Sequence, residues 1–189
     1  MLRLAKTFEL LTAALNRLGI PYAVVGSVAS SARGAYRATE DIDVLANISP
    51  EQASRLAETL GKDWYVDEWQ IRGAIAAGRA FNLIYIPFGQ KVDVFPLKDD
   101  FGAAQLQHAT KLPVPALGEG VEYPVISAED VVLAKLASYQ AGGGTSERQW
   151  SDILGVIRVT AELDWRYLQA WAMRLDVESL LKRARGESE

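Results

Sequence analysis

Thr39-Glu40-Asp41-Ile42-Asp43-Val44-Leu45 sets two carboxylates two residues apart on an otherwise apolar run. Side chains of an extended chain repeat with period two, so Asp41 and Asp43 share one face of a strand while Ile42 and Val44 take the other. Two anions held side by side need a cation. Upstream, Pro21-Tyr22-Ala23-Val24-Val25 reads as a short buried strand, Gly26-Ser27 as a turn, and residues 28–33 as a small-residue helix. Downstream, Phe81-Asn82-Leu83-Ile84-Tyr85-Ile86 and Lys91-Val92-Asp93-Val94-Phe95 are two β-rich runs split by Pro87-Phe88-Gly89-Gln90. That pattern is a hairpin with a longer loop, and it puts a third aspartate, Asp93, on a strand.

Helical segments surround these strands. Leu4, Phe8, Leu11, Leu15 and Leu18 recur at helical spacing before Gly19, which predicts a first amphipathic helix over residues 3–18. Ser49-Pro50 opens a helix expected to run from 50 to about 60 and to end at Gly61; Trp64-Tyr65-Val66 reads as a strand, followed by a short helix near 70–77. Residues 111–125 are rich in Pro and Gly and are expected to mark the change from a mixed sheet to an all-helical tail. Ser127-Ala128-Glu129-Asp130 resembles a capping box and opens a helix that Gly142-Gly143-Gly144 ends. Ser146 with Gln149 caps the next helix, and Asp164 and Asp176 are candidate caps for two more. The expected fold is therefore α/β (α+β): a mixed sheet flanked by helices over residues 1–125, with a helical C-terminal subdomain over 126–189 packed on it.

Composition narrows the function classes. Of 189 residues, 49% are hydrophobic and 23% charged, the balance of an ordinary globular protein. No cysteine occurs, which removes disulfides, thiolate metal sites and cysteine nucleophiles. No apolar run approaches the roughly twenty residues that span a bilayer, so no membrane role and a cytoplasmic location are expected. The net charge of −4 argues against indiscriminate attraction to nucleic acid. The basic cluster Lys182-Arg183-Ala184-Arg185 falls at the end of the last expected helix, where cations favour the helix dipole.

The three aspartates suit phosphoryl and nucleotidyl transfer. Carboxylates that hold divalent cations beside the phosphate oxygens offset the charge that grows there, and magnesium prefers hard oxygen ligands. A Gly-Ser turn at a helix start adds backbone N–H groups and a hydroxyl.

The ordered set Val25-Gly26-Ser27, Asp41-Ile42-Asp43-Val44 and Val92-Asp93-Val94 resembles the DNA polymerase β-type nucleotidyltransferase superfamily. Arg37-Ala38-Thr39 before the aspartate pair is similar to a run in its small bacterial members, and the spacer between Ser27 and Asp41 lies toward the long end of that pattern. Glu129-Asp130 with Lys135, then Ser146-Glu147-Arg148-Gln149-Trp150-Ser151-Asp152, resembles the abortive-infection toxin-type nucleotidyltransferases. The resemblance implies magnesium-dependent transfer, with one or two Mg2+ ions, of a nucleoside monophosphate from a nucleoside triphosphate (NTP) to a hydroxyl on RNA such as a tRNA end, on protein or on a small molecule. By the same resemblance, Gly26 and Ser27 would bind the triphosphate, and Asp41, Asp43 and Asp93 the metal. Asp93 would also be the general base, Lys135 would meet the phosphates, and Asp152 would position Lys135 or the acceptor. A toxin–antitoxin role, with an antitoxin partner, is part of what it implies. The alternative is a non-catalytic nucleotide- or partner-binding protein on the same scaffold.

Plainer readings stand beside these. Asp41 and Asp43 could face solvent at a strand start, Asp93 could be the exposed half of a simple alternation, and Lys135 could snorkel from an apolar helix. Arg37 and Arg148 are expected to be structural ion-pair partners, His108 a surface residue with no partner motif around it and no catalytic or metal role, and Trp150, Trp165 and Trp171 core or interface residues.

Overall fold

The predicted apolar stripe of the first helix, α1 (Leu2–Arg17), is buried at Leu4, Phe8, Leu11 and Leu15. The computed structural model describes residues 2–34, 39 and 41–188. After Gly19, at φ 64, the chain enters β1 (Tyr22–Val24), α2 (Gly26–Ala32) and β2 (Ile42–Ala46). Then come α3 (Gln52–Leu60), the short β3 (Trp64–Tyr65) and α4 (Glu68–Ala76). β4 (Phe81–Tyr85) and β5 (Gln90–Pro96) form the expected hairpin, closed by a 3-10 turn at Ile86–Phe88 and Gly89 in the left-handed region. Helix α3 starts later than Ser49-Pro50 implied, because the chain enters it through a tighter turn in which the Gln52 and Ala53 N–H groups donate to the Ser49 and Pro50 carbonyls three residues back, at 3.0 and 3.3 Å.

Three elements depart from the sequence expectation. Residues 100–108 form a helix, α5 (Asp100–His108), capped by the Asp99 carboxylate, which accepts from the Gly102 N–H at 2.9 Å. The Pro- and Gly-rich stretch is part of the sheet. It carries β6 (Thr110–Pro113) and β7 (Glu122–Val125), paired antiparallel, and β7 runs parallel to β1 with Val24 opposite Val125.

The seven strands lie in the order β3-β4-β5-β2-β1-β7-β6. β2 is central, antiparallel to β1 and parallel to β5. Its apolar side chains Ile42 and Val44 are fully buried, as the period-two reading requires.

A C-terminal helical region follows β7: α6 (Ala128–Ala141), α7 (Glu147–Val159), α8 (Trp165–Arg174) and α9 (Glu178–Gly186). Ser127, Ser146 and Asp164 cap the first three with their side chains. Asp176 does not cap the fourth: it takes φ 58 in the turn, and Val177 holds the cap position without a side-chain bond. One continuous apolar core joins α1, the sheet and α6 to α9. Among the described residues no helix is long and apolar enough to cross a membrane.

The basic cluster of α9 is turned against aromatic rings. Arg183 lies over Trp150 at 4.2 Å and Arg185 over Trp165 at 4.4 Å, so two of its cations hold the helix to α7 and α8.

Candidate active site

Strand register brings the aspartates together. Asp43 of β2 is the Cα partner of Asp93 of β5, and Asp93 is in turn the partner of Asn82 of β4. Register partners on adjacent strands point to the same face of a sheet, about 4.8 Å apart in the pairing direction. The three polar side chains form one row. Asp41, two residues before Asp43, extends that face; it lies exposed, with its N–H donating to the Thr39 hydroxyl at 3.3 Å.

The turn before α2 is built around the Asp43 carboxylate. Val25 N–H donates to the Asp43 carbonyl at 3.1 Å, and Gly26 follows at φ 63. A Cβ on Gly26 would lie 2.0 Å from Asp43 Oδ2, so the position admits neither the volume nor, without strain, the backbone conformation of any other residue. Ser27 is beside it on the wall of the same cleft.

Electrostatics follow from the crowding. Burial, with Asp93 and Asp41 nearby, pushes the Asp43 carboxyl up to about 6, against the opposing pull of Lys135 and Lys91. Asp93 is held differently. Its Oδ2 pairs with Lys91 Nζ at 2.8 Å and its Oδ1 accepts from the Asn82 amide. Three hard carboxylates close enough to repel one another are the donor chemistry that magnesium takes. Among the described residues, however, no three are drawn into a ready metal cage, and Lys91 stands on the Asp93 oxygen.

The opposite wall comes from the helical region. Lys135 of α6 reaches into the cleft and donates to Asp152 Oδ2 of α7 at 2.8 Å; their side chains are only 11% and 9% exposed. Lys135 is therefore not a surface lysine. Arg148 also faces the cleft from α7, and among the described residues no carboxylate pairs with it, contrary to the ion-pair expectation. Arg37 lies outside the described residues. The cleft encloses about 680 Å³ and contains Gly26, Ser27, Asp41, Asp43, Lys135 and Asp152.

Several residues of this site escaped the sequence reading. Asn82 and Lys91 could have been found: Asn82 is the lone polar group on its β-rich run, Lys91 stands two residues before Asp93 on the same strand, and both fall on the Asp93 face once the hairpin is registered. The residues of α5 could not, because that helix was not anticipated. His108, at its end, has partners: its Nδ1 is 3.8 Å from Asp130 Oδ2, and its ring meets that of Tyr167 edge-on at 5.1 Å. Asp130 is fully buried and takes a 2.6 Å hydrogen bond from the Tyr167 hydroxyl. Burial raises the Asp130 carboxyl above its ordinary range.

No protein-family model matches the chain, and no curated protein matches its sequence. Solved structures do match. An antigenic nucleotidyltransferase-like protein from Paracoccidioides brasiliensis aligns with a TM-score of 0.56 and 24% identity, over 96% of this chain and 92% of that one. The antibiotic-resistance factor ANT(2'')-Ia aligns with a TM-score of 0.47 and 16% identity, over 97% of this chain and 93% of that one. In complex with adenylyl-2''-tobramycin, ANT(2'')-Ia aligns at 0.46 and 13% identity, over 98% of each chain. The first likeness shows that this chain has the nucleotidyltransferase fold.

Proposed function

We propose that the chain is a metal-dependent nucleotidyltransferase that moves a nucleoside monophosphate from an NTP to a hydroxyl. The observation that carries the reading is the strand register of Asp43, which lines the cleft, against Asp93 on the neighbouring strand, with Gly26 shaped to the Asp43 carboxylate on one side and Lys135 facing it on the other.

In this reading Asp41, Asp43 and Asp93 hold one or two Mg2+ ions, which when bound offset charge on the phosphates. Gly26 and Ser27 receive the triphosphate through backbone and hydroxyl, and Lys135 supplies a compact positive charge opposite them. Asp152 holds the Lys135 ammonium in place. The acceptor oxygen forms a bond to the α-phosphorus, the bond from that phosphorus to the bridging oxygen breaks, and pyrophosphate leaves. The hydroxyl proton passes to Asp93, whose carboxylate Asn82 and Lys91 orient. Acceptors in the range of the proposal are an RNA end, a protein or a small molecule; pairing with an antitoxin rests on the sequence resemblance alone.

The test is transfer of label from α-phosphate-labelled NTPs, with magnesium, into a cell lysate. Asp43→Asn should reduce labelling by about a hundredfold or more, the scale of losing one group that stabilises the transition state. A wild-type protein that binds neither magnesium nor any NTP by calorimetry would overturn the proposal.

A further inference from the structure

Strand register sorts the side chains of β3, β4 and β5 into two unlike faces. One holds Trp64, Phe81, Leu83, Val92 and Val94, all buried in the core. The other is the face of the aspartates. There Tyr65, Ile84 and Lys91 form one row across the three strands, Asn82 and Asp93 form the next, and Phe95 follows on β5. This face is open: Tyr65 is 56% exposed and Phe95 41%, and Asn82, Ile84 and Asp93 are partly buried. A solvated sheet face ordinarily presents polar residues outward, yet three of these six are apolar or aromatic.

The open face joins the cleft at the aspartate row. Asp41 and Asp43 line the cleft with Phe95 beside them, and Asp93 stands one strand further out, next to Asn82. The group assigned to take the hydroxyl proton thus lies where the cleft gives way to the open strands, and an acceptor can reach it across β4 and β3. From Tyr65 to β5 is two strand spacings, and from Lys91 to Phe95 four residues, a shelf of about 10 by 14 Å that matches about four residues of extended polypeptide.

Charge and shape separate the acceptors. Among the described residues, register puts one cation on this face, Lys91, and Asp93 already holds it at 2.8 Å. A nucleic-acid strand binds through several lysines and arginines that neutralise its phosphates, and the chain carries a net charge of −4. A small molecule is gripped in a concave pocket, whereas this face is a flat shelf. A polypeptide segment with apolar side chains around a hydroxyl residue matches both the flatness and the apolar surface.

We propose that the Tyr65–Ile84–Phe95 face docks a protein acceptor, an extended segment that presents a Ser, Thr or Tyr hydroxyl to Asp93 between apolar neighbours. This rests on the nucleotidyltransferase reading of the cleft. The hydroxyl oxygen bonds to the α-phosphorus, its proton goes to Asp93, and pyrophosphate leaves with the electron pair of the broken bond. The product is a nucleoside monophosphate joined to the protein through a phosphodiester.

The full chain, with magnesium and α-phosphate-labelled NTPs, is offered the separated protein, RNA and small-molecule fractions of a cell lysate. It is also offered ten-residue peptides with one central Ser, Thr or Tyr between apolar or between polar neighbours. Label should enter the protein fraction, resist ribonuclease, and enter the apolar-flanked peptides about tenfold faster than the polar-flanked ones, the scale of one buried apolar side chain. Tyr65→Thr and Ile84→Thr keep a β-branched residue in each strand, and each should slow peptide labelling about tenfold while NTP affinity by calorimetry stays at the wild-type value. Label in RNA or small molecules and none in protein or peptides overturns the docking surface and leaves the transfer reading standing. So does protein and peptide labelling that both variants leave unchanged, with both folded by circular dichroism. No label in any fraction overturns the docking surface, and if the wild-type protein also binds no NTP the transfer reading falls with it.

Discussion

At the scale of single residues, Gly26 and Asp43 form one unit. Replacing Gly26 by Ala forces a side chain into the carboxylate and a non-glycine residue into φ 63, so Gly26→Ala should destabilise the protein by about 2 kcal/mol or more, read from urea denaturation. Asp43 itself works against stability at neutral pH. With its carboxyl raised to about 6 in the folded chain, it binds its proton more tightly folded than unfolded. Its favourable contribution is complete below the ordinary Asp range, near about 3.9, and is lost as pH rises through about 6. In metal-free buffer Asp43→Asn should therefore be more stable than wild type at pH 7, with the difference shrinking toward pH 4. A variant that is less stable at pH 7 would contradict the crowding described here. The same proton competes with a cation, so magnesium affinity should fall below about pH 6.

At the scale of elements, α6 and α7 meet at the Lys135–Asp152 pair. Both groups are nearly enclosed, so Asp152→Ala leaves an ammonium without its counter-charge and should cost about 3–5 kcal/mol. Replacing both partners with Met and Leu should recover most of that loss in the same denaturation experiment, because two apolar chains leave no charge stranded. Legibility in the sequence followed signal strength element by element. The α1 stripe, the Asp41-Ile42-Asp43 alternation and the hairpin around Gly89 are strong periodic patterns, and each appears where the periodicity puts it. Helix α5 was hidden because Asp100-Phe101-Gly102-Ala103-Ala104 contains few large apolar residues: it packs by closeness, through Gly102, rather than by bulk. Its one readable mark was Asp99, a cap bonded to the third residue on. β6 and β7 were hidden by Pro113 and Pro124, which read as loop residues. Pro124 is tolerated since β7 meets β1 only at Val125, leaving no central ladder for a missing N–H to break. The aspartates were legible as residues; Asn82 and Lys91 needed the hairpin's register before they could join them.

At the scale of the whole molecule, the sheet order puts β5, β2 and β1 inside and β3 and β6 at the edges. Amide hydrogen exchange should accordingly be slowest at Val44, Val92 and Val94 and fastest among strand residues at Tyr65 and Lys111. Equal protection across all seven strands would contradict that order. The junction of β7 with α6 sits beside the strand that leads into Gly26. Ile126 N–H donates to the Val24 carbonyl at 3.3 Å, and Arg33, just past α2, gives its Nε to the Ile126 carbonyl at 2.8 Å and an Nη2 hydrogen to the Val125 carbonyl at 3.1 Å. The floor that carries Asp43 and the wall that carries Lys135 are thus bound along a common spine, as two covers of a book are. The gap between them is set along that spine, and its opposite margin, where α5 faces the turn at Leu175, is clasped by the 2.8 Å Arg174–Asp100 ion pair and the Phe101–Trp171 ring contact.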